Sequence, residues 1–68
     1  MKTVLTLEEV ASYLHVYPST IYRLLKKRHL PAFKIGSDWR FNLASIDQWR
    51  SEAERVQANE ALFASRHN

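Results

Sequence analysis

A chain of 68 residues has room for one domain, and its high surface-to-volume ratio leaves a small apolar core marginal unless large side chains fill it. Cysteine is absent, which excludes disulfides, thiolate zinc sites and cysteine nucleophiles; packing must rest on residues such as Phe33, Trp39, Phe41 and Trp49, each contributing about 1.5–3 kcal/mol when buried. The formal charge is only +3, yet residues 22–40 carry +5 while residues 1–21 and 41–68 each carry −1, so the basic charge is gathered as on an anion-binding surface.

The first residues, Met1 to Thr6, lead directly into a helix signal rather than a signal-peptide core, and no apolar run approaches the length of a membrane span. A soluble, cytoplasmic protein is expected. Thr6-Leu7-Glu8-Glu9 has the form of a capping box, in which the Thr6 hydroxyl accepts from the Glu9 amide and the Glu9 carboxylate accepts from the Thr6 amide. Leu7, Val10, Ala11 and Leu14 then predict an amphipathic helix over about residues 7–14. His15-Val16-Tyr17 is a three-residue break. Pro18 suits the first turn of a second helix, because its missing N–H has no intrahelical partner there.

That second helix, about residues 18–28, is the most informative segment. At 100° per residue Ile21, Leu24 and Leu25 fall on one side; Ser19, Arg23, Lys26 and Lys27 fall on the other, flanked by Thr20 and Tyr22. Arg28 projects near the apolar side, where its stem covers the helix end and its charge suits the C-terminal dipole. Leu30-Pro31 ends the helix.

The apolar period then changes from 3.6 to 2. Phe33 and Ile35, then Trp39 and Phe41, alternate with polar or small residues across a Gly36-Ser37-Asp38 turn, predicting a short β-hairpin. Its apolar face is expected to carry Phe33, Ile35, Trp39 and Phe41, leaving Lys34 and Arg40 together on the other. Asn42 is a suitable N-cap for a third helix striped by Leu43, Ile46, Trp49, Ala53 and Val56. Beyond Gln57 the stripe dissolves, and the last residues from Ser65 are expected to fray.

Two short helices across a tight break, followed by a basic hairpin, fit a mainly α winged helix-turn-helix of order α-α-β-β-α. In such a fold the second helix enters the major groove of double-stranded DNA and the hairpin is a wing. Ser19 and Thr20 are placed to meet phosphates or base edges and Arg23 to read a guanine, while Lys26, Lys27, Lys34 and Arg40 suit phosphates. Ser37, in the wing turn, is grouped with them. Tyr22 either bonds a phosphate or packs between helix and wing, and Tyr17, which cannot cap with its side chain, is a stacking or phosphate contact. Residues 1–57 form the expected DNA-binding domain, with residues 58–68 a C-terminal helical extension or a frayed tail.

The ordered set Leu5-Thr6-Leu7-Glu8-Glu9-Val10-Ala11, Leu14-His15-Val16, Ser19-Thr20-Ile21-Tyr22-Arg23-Leu24, Leu30-Pro31-Ala32-Phe33-Lys34-Ile35-Gly36, Trp39-Arg40-Phe41 and Ile46-Asp47-Gln48-Trp49 resembles the excisionase-type, MerR-like winged helix-turn-helix family over about residues 5–50. The resemblance implies a small bacterial or phage DNA-binding protein that bends DNA in site-specific recombination or regulates transcription, beside a recombinase or further copies of itself. The family commonly has glycine where His15 stands, a position suited to left-handed backbone.

His15, His29 and His67 are too far apart for a local metal-ligand pair, and no phosphate loop or nucleophile elbow is present, so neither cofactor, metal nor enzymatic activity is expected. A different class of function remains open for the C-terminal helix. Leu62 and Phe63 lack an obvious burial site and are either a partner or dimer contact or scattered apolar residues of a tail.

Overall fold

The computed structural model describes residues 2–66, with side chains as far as Glu60. The elements run β1 (Val4–Thr6), α1 (Leu7–Tyr13), α2 (Pro18–Lys26), β2 (Phe33–Ile35), β3 (Asp38–Asn42) and α3 (Leu43–Arg66), a winged helix-turn-helix arrangement with one strand more than the sequence pattern shows. That strand, β1, is only three residues long and ends on the residue that caps α1, so the helix signal conceals it.

The capping box forms as expected. The Glu9 amide donates to Thr6 Oγ1 at 3.2 Å, and the Thr6 amide donates to Glu9 Oε1 at 2.9 Å. Lys2 pairs with the same carboxylate; this charged hydrogen bond, with the Thr6 amide, lowers the Glu9 pKa to about 2.

Both helices of the pair end in the same way. Beyond α1, His15 sits at φ 58°; its N–H donates to the Ser12 carbonyl while that of Val16 reaches back to Ala11, the two bonds of a Schellman motif. Beyond α2, Arg28 sits at φ 56°, with Arg28 donating to Leu25 and His29 to Leu24. The left-handed residue reverses the chain and satisfies carbonyls that the helix leaves open. It also corrects the sequence-based placement of Arg28: the helix stops at Lys26, and Arg28 is an exposed residue beyond its cap rather than a cover on its apolar side.

The sheet is antiparallel in the order β1-β3-β2. Leu5 lies opposite Phe41, and both are buried. In the hairpin Ile35 pairs with Asp38, Lys34 with Trp39 and Phe33 with Arg40, so the loop is Gly36-Ser37, and Asp38 already belongs to β3. Gly36, at φ 64°, supplies the left-handed turn residue.

One residue fewer in the loop shifts the pairing and exchanges the faces of one strand relative to the other. Phe33 and Ile35 therefore share a face with Asp38 and Arg40, and Lys34 shares the core-side face with Trp39 and Phe41, contrary to the face expected from alternation. Of the four expected wing hydrophobes only Phe41 is fully buried, and Ile35 is 60% exposed.

The core joins Leu5, Leu7, Val10, Ala11, Ile21, Leu30, Phe41 and Ile46, so every element except β2 contributes directly or through its flanks. Asn42, expected as an N-cap, is the last residue of β3, and α3 starts at once after it, tied by the Leu43 N–H to the Thr3 carbonyl at 2.9 Å. The Tyr13 hydroxyl donates to Asp47, linking α1 to α3 and raising the phenol pKa, and the Arg50 guanidinium lies 5.8 Å from the Tyr13 ring centre. Along the predicted stripe of α3 burial peaks at Ile46, which is enclosed; Leu43, Trp49 and Ala53 are half-buried, and Val56 is half exposed. The helical backbone continues without a break to Arg66. The side chains of Leu62 and Phe63 lie outside the described residues, as does His67.

Candidate nucleic-acid interface

Complete burial of Ile21, 0% exposed, fixes the rotation of α2, because only one face of a helix can meet the core and the residues around 180° away must face solvent. Ser19, Arg23 and Lys26 are accordingly exposed, with Lys27 at the C-cap beside them. Tyr17 caps the N-terminus without a side-chain bond and is 81% exposed, which leaves an aromatic ring standing at the entrance of the helix. Tyr22 is 53% exposed.

Thr20 is half-buried. Its hydroxyl accepts from Arg23 Nη2 at 3.4 Å, one helical turn on, so it steadies the guanidinium, and it borders a hollow shared with Trp49 and Ala53 of α3.

The wing cations separate. Lys34 Nζ lies 4.8 Å from the centre of the Trp39 ring, directly across the hairpin, and the ring face attracts the ammonium while leaving it exposed. Arg40, on the other face and half-buried, donates from Nη1 to the carbonyl of Trp39 at 2.8 Å. Ser37 is exposed at the turn. Trp39 as a platform for Lys34 was not anticipated; a two-residue reading of the Gly36-Ser37 loop would have placed residues 34 and 39 opposite each other.

Electrostatically, the important observation is what these cations lack. Among the described residues the ion pairs are Lys2 with Glu9, Arg50 with Asp47 and Arg55 with Glu52, and none involves Arg23, Lys26, Lys27, Lys34 or Arg40. The basic charge of α2 and the wing has no ion-pair partner among the described residues, which leaves it available to an external anion. Among the described residues there is neither a cluster of His, Asp and Glu able to hold a metal ion nor a helix long and apolar enough to cross a membrane.

A short helix pair with a tight left-handed turn, an exposed basic second helix and a hairpin wing defines the helix-turn-helix class of DNA-binding domains. The chain belongs to the helix-turn-helix domain family, whose pattern it matches over residues 4–54. It is similar to the uncharacterized protein YvgK of Bacillus subtilis (strain 168), with 36% identity over 52 residues. That match covers 76% of this chain and 17% of the relative, so the chain corresponds to a small part of that protein. No solved structure gives a significant match.

Proposed function

We propose that this chain is a sequence-specific binder of double-stranded DNA that acts as an excisionase-like accessory factor in site-specific recombination, in the cytoplasm and without catalysing strand exchange. The observation that carries the DNA-binding reading is the one-signed row of Arg23, Lys26 and Lys27 on the exposed face of α2, without an ion-pair partner among the described residues. With α2 in the major groove, Ser19 and Arg23 meet base edges, and Thr20 supports Arg23 from one turn back. Lys26 and Lys27 meet phosphates, as do Tyr17 and Tyr22 through their hydroxyls. The wing, through Lys34, Ser37 and Arg40, tracks the backbone or the minor groove.

One short helix and one wing supply few contacts, so binding gains from neighbouring copies or from a recombinase bound alongside. A MerR-like transcription regulator would use the same face, and the two roles separate once DNA is bound: bending and excision in one case, altered promoter activity in the other.

A mobility-shift titration against salt tests the reading. For about four phosphate contacts the slope of log affinity against log salt is about −3.6, at about −0.9 per contact. Affinity independent of salt, or no binding to any duplex, overturns it.

A further inference from the structure

We propose that the cleft between α2 and α3 is a docking groove for a partner's amphipathic helix whose apolar stripe is flanked by lysine or arginine. Two adjoining hollows, of about 620 and 510 Å³, share Leu24, Trp49, Ala53 and Gln57 and together form one open channel along α3. Leu14, Val16 and Leu24 line the helix-turn-helix side; Trp49, Ala53 and Val56 line the other. These are the residues at which the stripe of α3 leaves the core, and Val56 is 50% exposed.

An apolar stripe that runs out of intramolecular partners while its helix continues has the form of one wall of a helix-in-groove site, in which anchors at three- and four-residue spacing fill the gap.

The rim decides which helix fits. It carries Glu52, Glu54 and Glu60 against Arg50 alone; Arg50 is engaged with Asp47 and Glu52 with Arg55, which leaves Glu54 and Glu60 to set the sign of the rim. Among the described residues Glu54 and Glu60 have no ion-pair partner. A second copy of this chain docking through its own α3 would set one acidic rim against another, a like-charge juxtaposition that disfavours the pairing. A basic-flanked helix meets the same rim with opposite charge. The groove lies on the Leu24 side of α2 with Thr20 at its edge, while Arg23, Lys26 and Lys27 do not line it, so an occupant leaves those cations free.

Trp49 lines the groove and provides the readout once Trp39→Phe removes the other tryptophan. The full chain carrying that change is titrated with two helical peptides of about 15 residues, each with leucines at i, i+3, i+4 and i+7, one flanked by lysines and the other by glutamates. The lysine peptide is expected to shift Trp49 emission to saturation with at least about tenfold tighter binding than the glutamate peptide. Val56→Asp, at a half-exposed site that circular dichroism will show still folded, should remove the shift, and Glu54→Lys with Glu60→Lys should reverse the peptide preference. Equal binding of both peptides, or no change at Trp49, overturns the proposal. So does sedimentation of the chain alone as a dimer that Val56→Asp dissociates, since the groove would then belong to a second copy.

Discussion

Helices α2 and α3 both present charged faces, and the difference between them lies in pairing. On α3 Arg50 and Arg55 answer carboxylates one turn away: Arg50 lies 3.4 Å from Asp47, and Arg55 lies 2.7 Å from Glu52. Such exposed pairs contribute about 0–1 kcal/mol each and leave neither arginine free to attract an anion. On α2 no acidic residue stands between Pro18 and Lys26, so Arg23 and Lys26 reinforce one another. Arginine on a helix surface is therefore uninformative until its neighbours are counted; the unopposed row is what supports the proposed recognition role of α2, and the paired arginines of α3 offer no such row.

The contrast is tested most severely in the core. Ile46 holds α3 to the sheet and Val56 does not, so Ile46→Ala should destabilise the protein by about 2–5 kcal/mol, whereas Val56→Ala should stay within about 0.5 kcal/mol. Urea denaturation of both variants checks this, and similar losses would mean that α3 is held along its whole length.

The next effect falls on DNA binding. Arg23→Ala should cost about 1–3 kcal/mol of affinity and relax sequence preference, while Lys26→Ala should weaken all duplexes alike and reduce the salt slope by about 1. Arg55→Ala on α3 should leave both quantities unchanged; a comparable loss there would erase the distinction between the helices.

Smaller effects concern the turns that set α2 in place. His15 and Arg28 hold left-handed backbone without being glycine, so His15→Gly and Arg28→Gly should each raise stability, by about 1 kcal/mol in thermal or chemical unfolding. The last effect is acid sensitivity. Because the folded pKa of Glu9, about 2, lies below its ordinary 4.5, the carboxylate contributes stability that is full above 4.5 and is lost as pH falls towards 2. Glu9→Gln should flatten that part of the stability-pH profile, measured by unfolding at successive pH values.

Much of the helical framework was legible without coordinates. The capping box at Thr6 and Glu9, the break before Pro18 and the amphipathic α2 are local features, set by residues three or four positions apart, and each formed where the spacing placed it. The left-handed turn at His15 was legible through the family's glycine. Most of the exposed α2 residues agree with the rotation that Ile21 imposes, but the half-burial of Thr20, which borders a hollow shared with α3, was not legible from the helix alone.

The helices, their order and the sign of the charge on α2 were thus set by sequence alone, because helix formation and helix faces are near-neighbour properties. The wing was decided in three dimensions. Phe33, Ile35, Trp39 and Phe41 allow either a three-residue or a two-residue loop, and a slip of one residue reverses the relative faces. Pairing of β3 with β1 accompanies burial of Phe41 opposite Leu5, while the two-residue loop sets Lys34 beside Trp39 and Arg40 on the far side. That outcome depends on a strand more than thirty residues away in the chain, which local periodicity does not register.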